Sequence, residues 1–188
     1  MYLSICRAFA RRWEKPQGVQ KMSVVKNKRT LSRLEFYNNA RKLRADLTNF
    51  LLRDFGVRDK VWKDINEDGK EIVITEKYPE WIIENFRHTI ITSLNNLMAN
   101  IVAANSIYPV TIQEVDYRRI LQDKAIGNCE QLFQELVFCA DILPLSLSKF
   151  EPYAEVIDKE IALLKGWRKQ NNEIRYKILA GKIKGGSK

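Results

Sequence analysis

The side chains with most chemistry to offer are cations, and their spacing along the chain is uneven. Residues 1–30 hold eight lysines and arginines against Glu14 alone, and residues 165–188 hold eight more against Glu173 alone. The stretch 31–164 carries twenty-one carboxylates against sixteen cations, in a chain whose net charge is +9. Cationic segments of this kind gain affinity for a polyanion by releasing its condensed counterions, so nucleic acid is the expected partner. Arg41 and Arg44, Arg118 and Arg119, and Lys165, Arg168, Lys169, Arg175 and Lys177 are the candidate phosphate contacts. Trp167 and Tyr176 lie among the last group, where an aromatic ring is placed to stack on an unpaired base. The plainer alternative is that these cations solvate helix faces and that Trp167 packs into a core.

Other chemistry is weakly represented. Asp64, Asn66, Asp68 and Gly69 follow the D-x-N-x-D-G spacing of a calcium loop, but position twelve is Thr75, with Glu76 one place late. The flanks also read as strands rather than helices, so a plain turn is expected there. His88 is the chain's one histidine and follows Glu84 by four residues, which leaves a carboxylate di-metal centre without its Glu-x-x-His pairs. There is no GxSxG, no phosphate-binding GxxxxGK[ST], and no Cys/His pair with an orienting acid. Cys6, Cys129 and Cys139 are odd in number and lack a CxxC spacing, as expected of reduced thiols in a cytoplasmic protein. No catalytic residue, metal or cofactor is expected.

The elements that must position the cations have helical period. Phe36, Ala40, Leu43, Leu47 and Phe50 form one stripe of a first helix from about Leu31 to Phe55, with Arg33, Arg41 and Arg44 on its flank and Gly56 as its stop. Pro79 opens a second helix with Ile83, Phe86, Ile90, Leu94, Leu97, Ile101 and Ala104 on one side, ending near Ser106. Asn95, Asn96, Asn100 and Asn105 lie on its other faces, and no residue after Arg87 is charged. Such amides suit contact with a protein or nucleic-acid partner, or hydrogen bonds inside a bundle. Thr111 and Glu114 form a capping box for a third helix that runs to Pro144, and Ser148 with Glu151 form a second box for a fourth. That fourth helix carries Phe150, Ala154, Ile157, Ile161 and Leu164 on its stripe, and the segment from Trp167 either extends it or orders only with a partner. Between the first two helices, Val61–Ile65 and Glu71–Thr75 flank a Gly-containing turn and read as a hairpin that packs on the bundle or on a neighbouring subunit.

At 188 residues with 45% hydrophobic content, the chain can bury one core. The expected architecture is all-α, an antiparallel up-down four-helix bundle with a small β-hairpin insertion. Residues 30–167 form the bundle, 57–78 the insertion, 1–29 a basic N-terminal extension and 168–188 a basic C-terminal tail. Met22-Ser23-Val24 reads as a natural start, and residues 1–21 show no pattern joining them to the bundle. No apolar run approaches the roughly 20 residues of a membrane helix.

Three stretches give the chain a resemblance. Ala99-Asn100-Ile101 is similar to the ANIAEG stretch of the 23S rRNA intervening-sequence proteins, and Ala125-Ile126-Gly127-Asn128 with Glu130 and Leu132 is similar to their A-x-G-S…E-L stretch. Leu163-Leu164-Lys165-Gly166-Trp167-Arg168 resembles the ending of the accessory variability determinant proteins of diversity-generating retroelements. The hairpin and the N-terminal extension fall outside that family pattern. The resemblance implies a non-catalytic homo-oligomer, a pentamer in the family, that binds a reverse transcriptase and its template RNA. In that setting the cations would converge on RNA phosphates and Asn95, Asn96, Asn100 and Asn105 would meet another subunit or the polymerase.

Overall fold

The computed structural model describes residues 31–53, 55, 57, 60–67, 69–76, 79–143 and 145–181. A 3₁₀ turn at Leu31–Arg33 leads into α1, Glu35–Leu51; the hairpin strands β1, Lys60–Ile65, and β2, Glu71–Glu76, follow. Then come α2, Glu80–Ser106, α3, Ile112–Ile142, a second 3₁₀ turn at Leu147–Lys149, and α4, Glu151–Leu179. None of these helices is long and apolar enough to cross a membrane.

Cross-helix contacts fix the topology. Phe36 on α1 stacks on Trp167 of α4 while Phe50 meets Phe150 and Tyr153, so the two helices run antiparallel. Asp116 reaches Arg175 and Asp123 reaches Arg168, which makes α3 and α4 antiparallel. Phe86 touches Phe138, and Asn96 and Asn100 sit level with Asn128 and Lys124, which does the same for α2 and α3. Each helix packs on its two neighbours and α4 closes the ring on α1. The molecule is an all-α four-helix bundle with the expected hairpin between its first two helices. The core is the set of predicted stripes: Ala40, Leu43, Leu47, Ile90, Leu97, Ile101, Ala125, Cys129, Leu132, Ile157 and Leu164 are wholly buried.

Helix ends depart from expectation where packing outweighs local signals. The first helix does not start at Leu31, because Leu34 takes an extended backbone (φ −90°, ψ 121°) and buries its side chain beside Phe36. Leucine offers no capping oxygen, so burial alone sets this start. Gly56 lies outside the described residues, and the left-handed turn falls on Phe55 at φ 58°. A bulky residue adopts that region only when its surroundings hold it. The Phe55 ring is wholly buried, edge-on to Phe50 at 5.5 Å and Phe86 at 6.2 Å.

The Thr111–Glu114 box forms as expected, with both reciprocal hydrogen bonds present. Amides of Val110 and Thr111 donate to the Glu114 carboxylate at 2.8 and 2.9 Å and hold its pKa below the ordinary range. The Ser148–Glu151 box does not form. Ser148 sits inside the second 3₁₀ turn with its hydroxyl against Ser146, and Phe150, the residue before α4, already has a helical backbone. Phe150 is buried against Phe50 at 5.6 Å, which runs the turn straight into α4 and leaves no cap position for the serine. After Trp167 the chain stays helical through Leu179.

The hairpin pairs Val61 with Thr75, Lys63 with Val73 and Ile65 with Glu71. Its turn is held by Asn66, which pairs with Lys70 and accepts from Gly69, the latter at φ 73°. Directly opposed residues share a face, so Val61, Ile65 and Val73 lie together, all more than 60% exposed.

Candidate nucleic-acid interface

On α1, Arg41 and Arg44 are three residues apart and exposed, with Lys42 between them. The apolar stripe faces the other way, toward Leu43 and Leu47, so these guanidinium groups point to solvent. Arg33 is exposed but does not extend this flank as expected, because Leu34 separates its 3₁₀ turn from α1.

Two candidates are inside the protein. Trp167 is 8% exposed, stacked on Phe36 with ring centroids 4.3 Å apart, and the Arg118 guanidinium lies 5.2 Å from its ring centroid. Arg118 itself is 5% exposed. Neither presents the surface that a base or phosphate would need. The reason is positional: Ile157, Glu160, Leu164, Trp167 and Asn171 follow one another at steps of three and four and form the buried face of α4. Trp167 continues the stripe rather than beginning a tail.

The remaining α4 cations divide into two groups. Arg168 donates to Asp123 at 2.6 Å and Arg175 to Asp116 at 3.1 Å, tying α4 to α3. Arg119 joins them, 3.7 Å from Asp123 and donating to the Asn172 side-chain carbonyl at 3.3 Å. Lys165 is half-buried, and its charge partly offsets the rise that burial causes in the Asp158 pKa. Lys169 and Lys177 are exposed, as is Tyr176 at 70%.

The asparagines also divide. Asn96 and Asn100 of α2, one turn apart, line an open groove of about 450 Å³ with Lys124, Gly127 and Asn128 of α3. Gly127 opens directly onto it, since a Cβ there would meet nothing within 4 Å. Asn95 is exposed and Asn105 half-buried elsewhere on α2. The Asn100 and Gly127-Asn128 stretches, far apart in sequence, thus meet across one groove.

Polar groups also stand on the buried faces of the helices, outside any motif of the sequence. Ser93, Arg118, Gln122, Glu160 and Asn171 are all at most 5% exposed. Asn39 donates to one Glu160 carboxylate oxygen at 2.8 Å, and the other finds no hydrogen-bond partner among the described residues. Burial pushes the Glu160 carboxyl up to about 8, against a smaller opposing effect of the Asn39 bond. Burial likewise raises Cys129, and carries Cys139 up to about 12, so both thiols stay protonated and inert. Glu160 was legible in principle, three residues after Ile157 and four before Leu164. No group of three or more His, Cys, Asp or Glu among the described residues could hold a metal ion.

The antiparallel ring also sorts charge by height. Among the described residues, segments 46–92 and 130–158 make up the half that bears the hairpin, with thirteen carboxylates against six lysines and arginines. Segments 31–45, 93–129 and 159–181 make up the other half, with thirteen cations against six carboxylates. The described chain begins, at Leu31, and ends, at Gly181, in this second half, since Phe36 lies beside Trp167 and α4 runs on past Asn171, which bonds Val115 near the start of α3; the cationic residues 1–30 and 182–188 lie outside the described residues. No family model, curated protein or solved structure matches this chain.

Proposed function

We infer that the protein is a non-catalytic, RNA-binding accessory subunit that works in the cytoplasm with a reverse transcriptase and its template RNA in a retroelement. The observation that carries the nucleic-acid part is the polarity of the bundle. One half is acidic, and the other bears Arg41, Lys42, Arg44, Lys169 and Lys177 in exposed positions. A phosphate backbone gains from the second half and is repelled by the first. The retroelement part rests on the resemblance of the Ala99–Ile101, Ala125–Leu132 and Leu163–Arg168 stretches, two of which border the same groove. A homo-oligomer would multiply weak phosphate contacts by presenting several such halves to one RNA.

The test is RNA affinity against salt. Binding should weaken steeply from 50 to 200 mM salt, and Lys169→Ala with Lys177→Ala should lower the slope of log affinity against log salt by roughly 0.7 per lost contact. Affinity that is undetectable at 50 mM salt would sink the reading. A reverse-transcriptase gene with template and variable repeats beside the gene for this chain is the genomic setting it expects.

A second reading, a protein-binding oligomeric scaffold without a nucleic-acid role, is favoured by different features. The amide groove has Lys124 as its one charged lining residue, and the hairpin exposes Val61, Ile65 and Val73 on one face. Self-association that persists in high salt, together with no RNA binding, would favour that reading.

A further inference from the structure

The half of the bundle that collects the cations also carries exposed phenol rings. Tyr108, in the link between α2 and α3, is 49% exposed; Tyr117, in the second turn of α3, is 58% exposed; Tyr176, near the end of α4, is 70% exposed. They are 68 residues apart in sequence at the extremes, yet α2 ends, α3 begins and α4 ends at the same pole. The same end of the bundle carries the exposed Lys169 and Lys177 of α4 and the half-exposed Arg119 of α3. Glu173 is the exposed carboxylate of the last α4 turns, whereas Asp116 is engaged by Arg175. Rings interleaved with cations suit a strand whose bases are unpaired, because the ring stacks on a base face while the cations track the backbone. A duplex buries its base faces and offers such rings nothing.

We propose that this pole, through Tyr117 and Tyr176 with Lys169 and Lys177, grips single-stranded RNA end-on, in preference to duplex RNA lying along the arginine flank of α1. The inference rests on the nucleic-acid reading above and names which form of RNA is bound and where. Asn171, buried and donating to the Val115 carbonyl at 3.0 Å, ties the end of α4 to the start of α3 and holds Tyr176 at a fixed height relative to Tyr117.

Fluorescence anisotropy with a labelled 20-nucleotide unstructured RNA and a 20-base-pair duplex of the same sequence tests it, with the full chain and its Tyr117→Ala/Tyr176→Ala variant. Both rings are exposed, so circular dichroism melts should superimpose and any change in affinity reports the surface. The single strand should bind the parent tighter than the duplex, and the variant should lose ten- to a hundredfold on the single strand with little change on the duplex. Equal affinity for the two RNAs with no effect of the tyrosine changes, while binding remains salt-sensitive, overturns this inference and leaves the broader reading standing. A loss caused by Arg41→Ala/Arg44→Ala but not by the tyrosine variant overturns it in favour of the α1 flank. No binding of either RNA by the parent removes both.

Discussion

Glu160 is a carboxyl in the interior of a helical bundle, and its ionisation is linked to folding. Unfolded, it would ionise near 4.5; folded, burial moves it up to about 8. Between these values the native chain holds a proton that the unfolded chain has released. Stability is therefore fully present below pH 4.5 and falls as pH rises to about 8, by at most about 1.4 kcal/mol per unit. Glu160→Gln keeps an acceptor for Asn39 and removes the titration. Urea unfolding at pH 5 and pH 8 should show the parent weaker at the higher pH and the variant nearly unchanged; equal pH dependence in both would mean that another group is responsible. Trp167 gives a second expectation at this scale. Trp167→Ala empties the space between Phe36 and Arg118 and should cost about 3–5 kcal/mol in a denaturant melt. At temperatures where the variant remains folded, RNA affinity should be retained, because the indole is not at the surface.

At the scale of elements, two identical-looking signals had different outcomes, and the difference is measurable. Thr111→Ala removes a cap whose bonds are made, and thermal unfolding should report a loss of about 1 kcal/mol. Ser148→Ala touches a hydroxyl that caps no helix, and should stay within about 0.5 kcal/mol of the parent. Thr-x-x-Glu and Ser-x-x-Glu carry the same local information. What separated them was Phe150, whose burial against Phe50 is a contact between residues one hundred positions apart. The α3–α4 ion pairs behave in a similar way. Asp116→Asn with Asp123→Asn releases Arg168 and Arg175 from carboxylates on the half-exposed surface, where each pair is worth about 0–1 kcal/mol. The variant should melt close to the parent and bind RNA more tightly at low salt; unchanged RNA affinity would show that these arginines do not reach phosphate even when released.

For the molecule as a whole, the sequence determined the fold class, the four apolar stripes, the hairpin and its turn. Each is dictated by local periodicity or by a backbone preference, and these survive tertiary packing because packing exploits them. Uneven charge along the chain was equally legible. Only the tertiary structure decided where that charge stands, because height in an antiparallel bundle reverses direction at every turn and is invisible in a linear count. It separated Lys169 and Lys177, at the surface, from Arg168 and Arg175, which reach carboxylates on α3 some fifty residues away. It took Trp167 and Arg118 indoors, since a stripe continues for as long as a neighbouring helix covers it. It also brought Tyr117 and Tyr176 to the same end of the bundle, at a common level set by the Asp116–Arg175 pair, which no spacing within either helix encodes.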